Sequence, residues 1–432
     1  MSKKLKIIIS IVLLAAVSVF MFFKDEEYSI SVSEVRNNYG VKAYQIRVNS
    51  GNVIYVKCKF RNVGILHNSP KKHGISVVAG DLLCRRINGL SPEETKEKLL
   101  ELGIKNLSIN ALEDDFILSF YVLKDKAMGA LQFLSSIFLK PEFLKNDLEF
   151  IEKKYPEMLD LDSSHPQKLL LNKLLYMLYE NHNYGRNNTG TSQAIAGITE
   201  DDVRDFITSN FSKDGLEIFF TGNTSQSEIE TYLGKLISKL PEKSQKKFIS
   251  ETDISSSSTV EERETIMDKK NMGNIVGIMF GVRIDNPSDQ EKAATYIIVK
   301  TLFDRKIGDF SKGLQFKNIV HGVNYNVLQR QLSTVFYCWN YIRKDDLAKY
   351  NSYLKEKIST YGKRLNIKKL EHVQENLILW SRIGFTDLSN LDQKITYCSL
   401  PFSEVMPEIL MKVARKLFDE SKIKIVYIMK NQ

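Results

Sequence analysis

Six histidines are scattered along the chain: His67, His73, His165, His182, His321 and His372. A helix-borne zinc hydrolase needs two imidazoles one turn apart to hold the metal and a carboxylate to activate its water. Neither HExxH nor HxxEH occurs anywhere in the sequence. The nearest approach, His372-Val373-Gln374-Glu375-Asn376, lacks the second histidine. Glu149, Glu152 and Glu157 share one helical stretch, but carboxylates alone make a poor zinc site, and a solvated helix face accounts for them. The isolated histidines read as surface or satisfied core residues, with His73 expected to face water. Cys58, Cys84, Cys338 and Cys398 fit no metal or redox spacing; sequence cannot pair them, and buried free thiols account for them as well as disulfides do. No Gly-x-Ser-x-Gly stretch and no phosphate-cradling loop is present. One stretch does stand out. KKHGISVVAGDLL, Lys71 to Leu83, reads as an apolar helix entered through Gly74, yet Gly80 and Asp81 sit side by side in its middle. Glycine there costs about 1 kcal/mol relative to alanine, and aspartate competes with its own backbone.

The elements around that helix follow a recognisable grammar. Lys42–Val48 and Val53–Cys58 alternate as strands across an Asn49–Asn52 turn. Ser91-Pro92-Glu93-Glu94 carries a serine cap, proline at the first helical position and glutamate at the third. Strands are expected at 107–111 and 116–123, helices starting near Lys126, Glu142, Gln167 and Thr199, and a strand at 216–220 before a helix capped by Ser225. Glu242 to Glu264 has no apolar periodicity and holds the serine run Ser255–Ser258, so it reads as a linker. Beyond it the order partly repeats: strand 275–282, helix 290–303, strands 323–328 and 334–341, further helices, and a terminal strand 423–428. The fold class expected is α+β, with two related domains, each a largely antiparallel sheet packed with helices. The boundaries are 30–241, a linker at 242–264, and 265–432.

Composition adds limits. With 432 residues, 43% hydrophobic and 26% charged, the chain can bury two cores. The net charge of +9 comes from 61 basic residues mixed with 52 acidic ones, without a long basic block. A solvated lysine-rich surface follows, and a nucleic-acid partner is not expected. At the N-terminus, Lys3, Lys4 and Lys6 precede an apolar run, residues 7–23. Residues 1–24 therefore read as a signal peptide or membrane anchor, at the short limit of the about 17–25 residues a span requires. Ala16-Val17-Ser18 offers a cleavage site, but bulky Val19 to Phe23 follow it. The protein is expected to be exported to the periplasm, with its body across the membrane from the lysines.

Several segments together resemble the pitrilysin–insulinase–mitochondrial processing peptidase family of zinc peptidases. A strand, Arg61-Asn62-Val63-Gly64 and a Gly-led helix stand in the family's order. Tyr179 to Gly185 (YENHNYG) is similar to its "hpyG" segment. Gly190-Thr191 with Ile198-Thr199 and Asp202 is similar to its "GT…IT..D" pattern. Phe220-Thr221-Gly222-Asn223 is similar to its strand-end "vGd", and Gly322-Val323-Asn324-Tyr325 to its "GLaY". The resemblance covers nearly all of the chain after residue 24 and implies half of a clamshell chamber. In active members the Gly-led helix carries HxxEH, and a glutamate on a later helix completes the site. Counted from Gly74, those three positions are here Val77, Gly80 and Asp81. The family's peptide-gripping Arg…Tyr pair falls on Asn318 and Tyr325, so the tyrosine is kept and the guanidinium fork is lost.

The resemblance thus implies a catalytically inactive homologue without a metal of its own, against which stands an active enzyme using an unrecognised site. It would partner an active, HxxEH-bearing family member as a heterodimer, with zinc only in that partner, and contribute chamber wall and peptide contacts. The alternative is a structural or assembly protein of an envelope complex with no role in proteolysis.

Overall fold

Alternating side chains build the first sheet: Ile54, Val56, Cys58 and Phe60 of one strand, and Phe116, Leu118, Phe120 and Val122 of its neighbour, all enter one core. The computed structural model describes residues 32–48, 51–64, 68–138, 143–163, 165–180, 182–186, 190–244, 263–268, 273–383 and 400–430. In chain order the first half comprises β1 (Val32–Val35), β2 (Lys42–Arg47), β3 (Val53–Phe60), α1 (Ile75–Arg85), α2 (Pro92–Glu101), β4 (Lys105–Ala111) and β5 (Phe116–Leu123). It continues with α3 (Ala127–Leu134), α4 (Lys145–Ser163), α5 (Pro166–Tyr179), α6 (Ser192–Ala196), α7 (Glu200–Asn210), β6 (Leu216–Gly222) and α8 (Gln226–Ile237). The second half comprises β7 (Arg263–Asp268), β8 (Ile275–Asp285), α9 (Asp289–Phe303), α10 (Asp309–Phe316), β9 (Asn324–Gln329), β10 (Ser333–Arg343), α11 (Leu347–Tyr361), α12 (Ile367–Ile383), α13 (Pro407–Leu417) and β11 (Lys424–Lys430).

The protein is α+β, and the two sheets are built to one plan. The first has the order β1-β2-β6-β3-β5-β4 and the second β7-β11-β8-β10-β9. Setting β1 aside, each position corresponds, including the one parallel pair in each sheet, β2 with β6 and β7 with β11. The remaining pairs are antiparallel. Helices α1, α3, α7 and α8 cover one face of the first sheet, and α9 to α13 one face of the second.

Helix α5, which belongs to the first half by sequence, packs on the opposite face of the second sheet. Leu170, Leu174 and Leu178 meet Met279, Val335, Val426 and Ile428 in a third core. Two glycines of β8 permit this approach. A Cβ at Gly277 would lie 3.2 Å from Leu170 Cδ1, and one at Gly281 would lie 2.9 Å from Leu174 Cδ2.

The expected strands and the long helices are present to within a few residues. β1, β7 and α10 were not anticipated, nor was the parallel pairing, which periodicity does not encode. Residues 245–262 of the expected linker, and residues 1–24, lie outside the described residues; β7 begins at Arg263. Among the described residues no helix is long and apolar enough to cross a membrane.

Candidate functional site

Helix α1 begins without a side-chain cap, from Gly74 in the left-handed region at φ +100°. Its entry is set by partners distant in sequence. Gly190 lies against it so closely that a Cβ there would stand 2.5 Å from the His73 carbonyl oxygen. Lys72 Nζ pairs with Asp202 Oδ2 at 2.6 Å and donates to the Gly197 carbonyl at 2.5 Å. Asp202 also completes the Thr199 capping box of α7. Asn68 donates to Ser76 Oγ at 3.0 Å. Gly190, Thr199 and Asp202 thus position α1. His73 is only 5% exposed, which corrects the expectation that it faces water: Gly190 packs directly against its backbone.

Along α1, Val77 packs partly buried against the first core. Gly80 is buried against the edge strand β4, where a Cβ would lie 3.4 Å from both the Ile109 carbonyl oxygen and its Cγ2. Asp81 turns to α4: its Oδ2 accepts from Lys154 Nζ at 2.5 Å and from the Tyr155 hydroxyl at 3.2 Å. Burial, then the Asp81 carboxylate, push the Tyr155 phenol above its ordinary range. One turn on, Arg85 and Arg86 grip the Asp147 carboxylate at 2.6 and 2.5 Å. Burial would raise this carboxyl, but the Leu144 N–H and both guanidinium groups hold it low. Helix α4 is therefore tied to α1 by ion pairs. Glu149 is exposed and Glu152 half-buried.

These residues do not fit zinc. Val77 offers no donor, Gly80 no side chain, and the Asp81 carboxylate is engaged by an ammonium and a phenol. Among the described residues no group of three His, Cys, Asp or Glu side chains is placed to hold a metal. Nor is there an activated thiol among the described residues: burial pushes Cys58 to about 12, burial with the Asp81 charge does the same for Cys84, and burial raises Cys338 well above its ordinary value. All three are free thiols, and Cys398 lies outside the described residues.

Tyr325 and Asn318 belong to the second half, away from α1. Tyr325 sits half-buried on edge strand β9, packed against the second core and opposite Cys338. Asn318 is exposed at φ +54° and ends α10. Its N–H donates to the Gln315 carbonyl and the Ile319 N–H to that of Leu314, which is a Schellman closure. Asparagine suits that left-handed position, so its residue type answers a turn requirement.

A polar seam that sequence reading missed joins the halves at equivalent hairpin turns. Arg330, from the β9–β10 turn, is 3% exposed; it pairs with Glu113 of the β4–β5 turn at 3.0 Å and donates to the Tyr184 carbonyl at 3.1 Å. The Arg330 guanidinium lies 4.9 and 4.6 Å from the ring centroids of Tyr179 and Tyr184. The Gln331 N–H donates to Asp114 at 2.6 Å and the Tyr184 hydroxyl donates to the other Asp114 oxygen. Burial raises Asp114 despite these donors. His182 Nδ1 accepts from the Tyr184 N–H at 3.2 Å, and burial followed by Arg283, Arg330 and Arg186 lowers its pKa to about 4. The Tyr179–Gly185 motif is thus a structural joint. A lone arginine between two strands gives no sequence sign of burial.

With this geometry in hand, the relatives are informative. The family description "Peptidase M16 inactive domain" matches residues 197–343. The Bacillus subtilis (strain 168) protein named "Uncharacterized zinc protease YmxG" is 24% identical over 181 residues, 41% of this chain and 44% of that protein. The chain therefore matches less than half the length of this relative. A Pseudomonas fluorescens structure of a peptidase M16 inactive domain superposes with a TM-score of 0.78 at 17% identity, over 93% of this chain and 98% of that one. A Helicobacter pylori protease gives 0.76 at 15%, over 93% and 100%. The Escherichia coli periplasmic protease PqqL gives 0.69 at 12%, over 94% of this chain but 48% of its own. At these identities the structures establish the fold.

Proposed function

We propose, for a chain that carries a peptidase M16 inactive domain on an M16-like two-domain fold, a role as the catalytically silent partner subunit of an active metallopeptidase. The observation that carries this reading is α1 itself. The scaffold that would present a metal site is kept, down to Gly74, Gly190 and Asp202, while Val77, Gly80 and Asp81 hold no ligand set and Lys154 neutralises the one carboxylate. Zinc would then belong to an HxxEH-bearing partner. This chain would supply chamber wall and peptide contacts, with Tyr325 on β9 and Asn318 after α10 as the candidates. PqqL, about half of which corresponds to this chain, is described as periplasmic, which supports an exported location. The N-terminal tether and the division at 242–264 remain part of the same proposal.

The test is co-expression with an HxxEH-bearing relative encoded by the same organism. The pair should co-purify and cleave peptides in a chelator-sensitive manner, while this chain alone should not. Chelator-sensitive cleavage by the isolated chain would refute the silent assignment. One observation favours the alternative, a structural or assembly role in an envelope complex. Gly80 packs on Ile109, and Asp81 is engaged by Lys154 and Tyr155, so neither presents a free group to a peptide. Under that reading the relative does not co-purify, and peptidase activity is indifferent to this chain.

A further inference from the structure

The turn between α9 and α10, the outer face of α10 and the approach to β9 form one surface. Gln315 of α10 fastens it, donating to the Arg305 carbonyl at 3.3 Å and to the His321 carbonyl at 3.1 Å. The Arg305 side chain lies over Gly322, where a Cβ would stand 2.6 Å from its Nε. Helix α10 buries Phe310, Ser311 and Leu314, so Lys312 and Phe316, one turn apart, face outward. Lys317 follows, its Nζ 5.8 Å from the Tyr353 ring centroid.

Free charge and apolar exposure coincide here. Arg305, Lys306, Lys312 and Lys317 are exposed, and none makes an ion pair among the described residues. The neighbouring carboxylates are already engaged. Asp304 accepts from the Lys306 and Ile307 N–H groups at 2.8 and 3.1 Å, Asp309 pairs with Lys369 at 2.5 Å, and Glu356 with Lys357 at 3.1 Å. Unpaired lysines on a solvated face are ordinary, and so is a single exposed apolar side chain. Phe316 differs in degree and setting. It is 90% exposed, the most of the large apolar residues described, and it shares the outer face of α10 with Lys312 and adjoins Lys317.

An anionic partner complements such a surface, and the small apolar share decides its class. A helix that lies in a membrane surface inserts a broad apolar face, whereas α10 has turned Phe310 and Leu314 inward and offers one ring. An extended acidic peptide carrying one apolar side chain matches that ring and the cations around it. The surface adjoins Asn318, which ends α10, and leads into β9 with Tyr325.

We propose that this surface binds acidic peptide segments, Phe316 receiving an apolar side chain and Arg305, Lys306, Lys312 and Lys317 the flanking carboxylates. This role rests on the reading that the chain supplies peptide contacts, and it gives those contacts a substrate class.

The experiment is fluorescence anisotropy of the full chain with two labelled peptides, one of glutamates flanking a leucine and one with lysines in place of the glutamates. Saturable binding of the acidic peptide is expected, weakening as salt rises, with the basic peptide silent. Lys312→Gln combined with Lys317→Gln should weaken it by about tenfold, and Phe316→Ser by about threefold or more. All three side chains are exposed, so the melting temperature of the unliganded protein should stay unchanged. Lys96→Gln combined with Lys239→Gln removes the same charge from exposed positions of the first half and should leave binding within about twofold. The proposal is overturned by absent binding, by equal losses in the two double variants, by full binding to Phe316→Ser, or by capture of phosphatidylglycerol vesicles in place of the peptide. None of these measurements needs the partner subunit, so co-purification with an HxxEH-bearing relative remains a separate test of the partner reading.

Discussion

Helices α1 and α9 occupy corresponding places in the two halves, each following the strand at the middle of its sheet, yet they are held by different means. Helix α9 starts at a complete Ser288–Glu291 capping box, and Glu291 is clamped by Lys412 and Lys416 of α13 at 3.1 and 2.7 Å. Its side chains from Ala293 to Phe303 enter the second core almost throughout. Helix α1 has no side-chain cap and a glycine in its centre, and it gains its place from Gly190, Lys72, Ser76 and the ion pairs to α4. A helix whose task is to complete a core can secure its own ends. Helix α1, with no cap of its own, is held from outside by groups distant in sequence.

The largest expected effect lies at the seam that makes one body of these halves. Arg330→Met should destabilise by about 3–5 kcal/mol in urea unfolding, because it strands the Glu113 carboxylate in the seam. Combining it with Glu113→Gln should cost clearly less than the sum of the two; strict additivity would show that the pair is uncoupled. Next comes the seat of α5. Gly281→Ala places a Cβ 2.8 Å from the Phe336 carbonyl oxygen and 2.9 Å from Leu174 Cδ2, and overpacking of this kind costs about 1–3 kcal/mol. A wild-type midpoint would show that α5 is not pressed on β8.

The contrast between α1 and α9 is sharpened by smaller changes. Gly80→Ala gains up to about 1 kcal/mol of helix propensity against a contact of ordinary length, so the melting temperature should hold or rise. Gly80→Glu should lower it, since Ile109 closes the slot. Lys154→Met removes a half-exposed ion pair and should cost no more than about 1 kcal/mol; a larger loss would mean that this pair, and not the Asp147 clamp, fastens α4 to α1.

A further effect is a slope. His182 has its pKa depressed from 6.5 to about 4, so the unfolded chain takes up the proton first as pH falls. The stability that the neutral ring contributes is full above about 6.5, declines toward about 4 and then levels. His182→Asn keeps an acceptor for the Tyr184 N–H and should flatten that part of the melting-temperature profile. An unchanged profile would assign the slope to other groups.

Much of this was open to reading in the linear order. Capping boxes at Ser91, Thr199 and Ser225 are local, contained within four residues, and the helices start there. Period-two alternation is equally local and marked the long strands. Residue type alone also shows that the side chains of Val77 and Gly80 cannot bind a metal. The short edge strand β1, the parallel β7 and the partners of Asp81 were not legible. Lys154 and Tyr155 belong to a stretch whose charges resemble any solvated helix, and nothing local marks Arg330 as buried.

What the sequence determined by itself is therefore the set of elements and their duplicated order, since each depends on residue types within a turn or a strand. The tertiary structure decided the partners: an ion pair between α1 and α4, a strand packed on Gly80, and an arginine sealed between two hairpin turns. Those outcomes depend on groups tens to hundreds of residues apart meeting where water is excluded, where a charge must find its partner and a glycine decides how closely two backbones approach.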